Sequence, residues 1–62
     1  MFSEKAEGHL MKGLYCYLLG RLESSMSEFV RAKGLYKTVG NSYYIALADW
    51  SMGCIYYELM LY

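Results

Sequence analysis

The sequence predicts an all-α fold: a helical hairpin followed by a third, longer helix, in one domain over residues 1–62. Three observations carry this expectation. The chain has no proline, and its punctuation is glycine, at Gly20 and Gly40, where the apolar periodicity breaks. Between these breaks apolar residues recur at three- and four-residue steps, the period of a helix. No stretch sustains apolar–polar alternation, and only five residues are β-branched (Val30, Thr38, Val39, Ile45, Ile55), few for a β domain.

The first helix is expected over about 4–19. Ser3 can cap its start, and Glu4 and Glu7 sit near the positive end of its dipole. The second runs over about 22–38. Leu22, Met26, Phe29, Ala32, Tyr36 and Val39 form its apolar stripe, with Glu23, Ser27, Arg31 and Lys37 on the other face. Gly34 interrupts this helix and is expected to weaken it or end it early. The third helix covers about 42–61, with Asn41 as its cap. It carries two apolar faces separated by polar seams. One holds Tyr43, Leu47, Trp50, Cys54, Tyr57 and Leu61; the other holds Tyr44, Ile45, Ala48, Met52, Ile55, Tyr56 and Leu59. A helix resting on one hairpin in water needs a single apolar stripe. The second stripe predicts a further partner.

Composition points the same way. A chain of 62 residues that is 56% hydrophobic, with eight tyrosines, has little interior in which to hide so much apolar surface. One core of this size supplies only about 3–5 kcal/mol, so association is expected to complete the fold. Net charge is zero, which argues against a nucleic-acid partner. All six basic residues precede residue 40, and four acids interleave with them as a solvated mixed surface. Cys16 and Cys54 lie 38 residues apart without a CxxC spacing, which suits reduced thiols in a cytoplasmic protein. The charged opening MFSEKAEG lacks the apolar run of a secretory leader.

Two stretches resemble each other at a spacing of 40 residues: AEGHLMKGLYCYLL and ALADWSMGCIYYEL. Ala6 falls on Ala46, Gly13 on Gly53, Tyr17 on Tyr57 and Leu19 on Leu59, with small residues also at Gly8 and Ala48. Self-similarity at such a period suggests a helical repeat. The hairpin resembles a tetratricopeptide (TPR) repeat. Gly13 matches the small residue of that family's first helix, and Ser25, Phe29 and Ala32 match the small–aromatic–small pattern of its second. The third helix resembles the first helix of another repeat, with Gly53 as its small residue and Tyr56 as the aromatic after it. The chain departs from the family in its long period, against about 34 residues in the commonest form. It also lacks the closing proline, with Lys37 near its place, and has Cys16 where an aromatic is usual and Lys12 where an apolar residue is usual. The resemblance implies a right-handed helical array of about one and a half repeats, completed by oligomerisation. It places Met52, Ile55, Tyr56 and Leu59 in the core. It places Leu10, Leu14, Tyr17, Leu47, Trp50, Cys54 and Tyr57 along a concave apolar groove, with Leu61 on the same face.

Aromatic-rich apolar grooves take helices or extended peptides. The expected function is therefore a non-catalytic interaction module, a small adaptor, chaperone-like protein or inhibitor, which self-associates, binds another protein, or both. The same residues can equally be plain core, in one chain or a dimer, or line a small-molecule pocket. No catalytic triad, metal-ligand cluster or phosphate loop is present, and His9 beside Glu7 has no second histidine or nucleophile at a recognisable spacing, so no enzyme, cofactor or metal is expected. Two alternatives remain: a membrane helix over 43–62, opposed by Asp49 within the span, and a piece of a longer TPR protein.

Overall fold

A computed structural model describes residues 4–61, which form three helices: α1 (Glu4–Leu18), α2 (Leu22–Val39) and α3 (Ser42–Leu61). The all-α expectation holds, and the bounds fall within one residue of those read from the periodicity. The Ser3 cap lies outside the described residues. Both turns close the same way. Gly20 (φ 77°) and Gly40 (φ 72°) adopt left-handed backbone that costs a residue with a side chain about 1–2 kcal/mol. Gly20 N–H then bonds Tyr17 O and Arg21 N–H bonds Cys16 O; after α2, Gly40 N–H bonds Lys37 O and Asn41 N–H bonds Tyr36 O. This paired six-to-one and five-to-two arrangement satisfies the carbonyls that a helix end leaves free. Asn41 then caps α3, its Oδ1 accepting Tyr44 N–H at 3.2 Å, as its position predicts.

α2 is the central element: α1 and α3 both pack on it and touch each other only lightly. The α1–α2 contact is close because its residues are small where the helices meet. Gly13 is buried, and the hydroxyl of Ser25, fully buried, donates to Gly13 O at 2.6 Å. The Phe29 ring lies close against Gly13, so a Cβ there would sit 2.7 Å from the ring. Ala6, Leu10, Phe29, Ala32 and Tyr36 form this half of the core. On the other side Met52 and Ile55 complete it, and Tyr36 stacks on Tyr44 with ring centroids 4.9 Å apart. Burial pushes the Tyr36 phenol above its usual range, and the Glu7 charge nearby adds to this.

Polar contacts lock the three helices in register. His9 Nδ1 donates to Glu28 Oε1 at 2.6 Å between α1 and α2, and Lys33 Nζ meets Asp49 Oδ1 at 2.6 Å between α2 and α3. The Lys33–Asp49 pair is half-exposed and contributes at most about 1 kcal/mol. The hydrogen bond from His9 holds the Glu28 carboxyl below its usual range, with Lys12 and Arg31 adding smaller attractions and burial opposing them. A carboxyl depressed in the folded state contributes stability that is complete above its unfolded value and lost as pH falls through the folded one. Urea midpoints taken between about pH 6 and pH 3 should therefore fall with acid, and Glu28→Gln should flatten that fall. An unchanged acid slope in the variant would show that the pair does not contribute.

Two expectations are corrected here. Tyr56 and Leu59 are exposed rather than core; α3 instead buries Ala48, Ser51, Met52 and Ile55. These face α2, and among the described residues no further helix covers Tyr56 and Leu59. At Gly53 a Cβ would meet nothing within 4 Å, so among the described residues no helix packs closely on it. Gly34 neither weakens α2 visibly nor ends it: the position is open and exposed, and the helix continues to Val39. The membrane-helix alternative for 43–62 is also set aside. Among the described residues no helix is long and apolar enough to cross a membrane; α3 carries Ser42, Asp49, Ser51 and Glu58 along its length.

Candidate functional site: an apolar groove and an aromatic ridge

α1 and α3 diverge over α2 and leave a groove between them of about 130 Å³. Leu14 and Tyr17 line it from α1, Trp50, Ser51 and Cys54 from α3, and Phe29 of α2 forms its floor. Four residues read from the sequence as a contact surface, Leu14, Tyr17, Trp50 and Cys54, thus come together from two helices that are distant in the chain. Each arrives for a local reason. Leu14 follows Gly13, where α1 presses on Phe29 and its next side chain turns out past that contact. Trp50 and Cys54 stand four residues apart on α3, one turn from each other on the same face.

The groove has one polar tie. Tyr17 OH donates to Glu58 Oε1 at 3.1 Å and links α1 to α3. Accepting that hydrogen bond, the Glu58 carboxylate pushes the Tyr17 phenol above its usual range, with partial burial and the charges of Glu58 and Cys54 adding to the effect. Ser51 is satisfied within its own helix, its hydroxyl donating to Leu47 O at 2.9 Å. Among the described residues no buried side-chain nitrogen or oxygen lacks a partner. The groove is lined mainly by apolar side chains, with the exposed Trp50 at its edge, which suits an apolar side chain better than a polar metabolite. Both cysteines are free thiols, half-buried. Among the described residues no three His, Cys, Asp or Glu side chains are placed to hold a metal ion.

The remaining expected residues lie elsewhere. Leu10 is buried between α1 and α2 as core and does not line the groove. Leu47 is half-buried and packs on the core, and the Leu61 side chain lies outside the described residues. Tyr57 stands fully outside the groove. It belongs to a second feature, which the sequence analysis does not separate from the groove: an exposed ridge along the outer side of α3. Tyr43 (73% exposed), Trp50 (69%), Tyr57 (65%) and Met60 (86%) project from it, with Ala46 and Gly53 between them. Trp50 is the shared edge of groove and ridge. The signal that could have found the ridge is the uninterrupted three–four spacing of residues 43, 46, 50, 53, 57 and 60. The chain matches no family model, no curated protein and no solved structure.

Proposed function

We propose that this chain is a non-catalytic protein–protein interaction module of TPR-like build, a small cytoplasmic adaptor or regulator. It self-associates and takes a helix or peptide of a partner on the apolar aromatic surface of α1 and α3. The observation that carries this reading is the groove, in which Leu14, Tyr17, Trp50 and Cys54 converge over Phe29. Exposed apolar surface on this scale is characteristic of interaction sites in small proteins. The close Gly13–Phe29 contact and the third helix packed on α2 support the TPR-like reading.

A photo-crosslinking amino acid at Leu14 tests the function in cells, with the same probe at exposed Lys37, outside the groove, as control. Leu14 should yield discrete products, identified by mass spectrometry, that Lys37 does not. Identical patterns from the two positions would remove the groove as a contact surface.

A further inference from the structure

We infer that the outer ridge of α3 is covered by a second copy of this chain, docked antiparallel about a twofold axis through the middle of α3. This rests on the interaction-module reading and names the occupant of one of its faces. The ridge residues Tyr43, Ala46, Trp50, Gly53, Tyr57 and Met60 follow steps of three and four along the whole helix, the seam of a two-helix pair. Large side chains fill one set of seam positions (Tyr43, Trp50, Tyr57), and the other set begins with two of the smallest, Ala46 and Gly53.

This alternation decides the direction of pairing. In a parallel pair each position meets its own kind, so Trp50 would collide with the copy's Trp50 while Gly53 faced the copy's Gly53 across a void. In an antiparallel pair the two sets face each other. The midpoint of Ser42–Leu61 falls between Ser51 and Met52. A twofold axis there seats Trp50 over the copy's Gly53, Tyr57 over the copy's Ala46 and Tyr43 beside the copy's Met60. Each contact occurs twice, as a self-complementary interface requires. Both α3 helices overlap over their full length, with no overhang. The open space around Gly53, where a Cβ would touch nothing in its own chain, is the seat for the copy's indole.

Charge and area favour a copy as the occupant. Neither charged residue of α3, Asp49 or Glu58, is one of the six seam residues, and Asp49 is already paired with Lys33 of its own chain, so the seam itself brings no charge against its copy. At roughly 150–250 Å² for a whole aromatic side chain, the exposed two-thirds of Tyr43, Trp50 and Tyr57 present about 300–500 Å². Met60 and the flanking backbone bring the face toward roughly 600 Å² per partner, the lower end of what a specific interface needs.

Sedimentation equilibrium of the full chain over a dilution series, with circular dichroism on the same samples, tests this. The wild type should be a dimer. Gly53→Leu puts a side chain into the seat through a Cβ that would meet nothing in its own chain; it should weaken dimerisation at least about tenfold, the change made by 1.4 kcal/mol, without lowering the helicity of the dilute chain. Exchanging the two roles, Trp50→Gly together with Gly53→Trp, should restore dimerisation to within a few-fold, because the twofold places each position opposite the other. A wild type that stays monomeric overturns the proposal, as does a dimer indifferent to Gly53→Leu or an exchange that fails to restore it. A monomeric wild type whose Leu14 probe still captures an identified protein would remove the copy alone and leave the interaction-module reading in place.

Discussion

Phe29→Ala is expected to unfold the chain. The Phe29 side chain is 1% exposed, fills the space left by Gly13 and forms the floor of the groove between α1 and α3. Truncating a buried phenylalanine to alanine costs about 3–5 kcal/mol, the lost transfer energy plus the cavity that neighbours cannot collapse into. A single core of this size supplies about the same amount, so the variant has nothing left over. Collapse into the cavity is hindered here, because the Ser25 hydroxyl and Gly13 carbonyl already hold the helices at contact distance. Helix circular dichroism and urea melts on dilute protein would check this, with Tyr57→Ala as a control of similar chemistry at an exposed site. The control should remain folded. A Phe29→Ala chain that keeps a cooperative transition within about 1 kcal/mol of wild type would show that stability resides elsewhere, at the α2–α3 contact.

Such a result would bear on how the fold is encoded. The hairpin is legible in the sequence because local signals and burial agree along it. The stripe from Leu22 to Val39 is buried or half-buried throughout, and Gly20, Gly40 and Asn41 perform the turning and capping their types suggest. α3 is legible only in part. A helix with apolar residues all round carries no periodicity that says which side its neighbour takes. The residues of α2 decide that: Lys33 draws Asp49 and Tyr36 stacks on Tyr44, and together they set the rotation that buries Ala48, Ser51, Met52 and Ile55. Tyr56 and Leu59 are as apolar as the residues that won, and nothing in their own helix marks them as exposed. For the same reason the groove is legible at Leu14, Tyr17, Trp50 and Cys54, which flank the contact on either rotation, while the ridge is not told apart from it, since Tyr43 and Tyr57 share one apolar face with Leu47 and Cys54 in the sequence.

The two glycines that the internal repeat equates, Gly13 and Gly53, should respond to alanine with opposite signs. In both, alanine gains about 1 kcal/mol of helix propensity by restricting the unfolded chain and shielding the backbone. At Gly13 the new methyl would lie 2.7, 2.8 and 3.0 Å from three carbons of the Phe29 ring. Carbon atoms attract best at about 3.5–4.0 Å, so these contacts are deep in repulsion. Either the buried ring is pushed from its packing toward the groove it floors, or the helices separate, which stretches the 2.6 Å bond from Ser25 to Gly13 O. Overpacking of this kind costs about 1–3 kcal/mol, enough to cancel the propensity gain and leave a net loss. At Gly53 no atom lies within 4 Å, so the dilute chain should gain most of that 1 kcal/mol. Urea denaturation at concentrations where the chain is monomeric separates the two effects from association. Equal responses at the two sites would mean that the repeated glycines occupy equivalent surroundings. Opposite signs would mean that the two surroundings differ, Gly13 closed by the Phe29 ring and Gly53 open in the dilute chain.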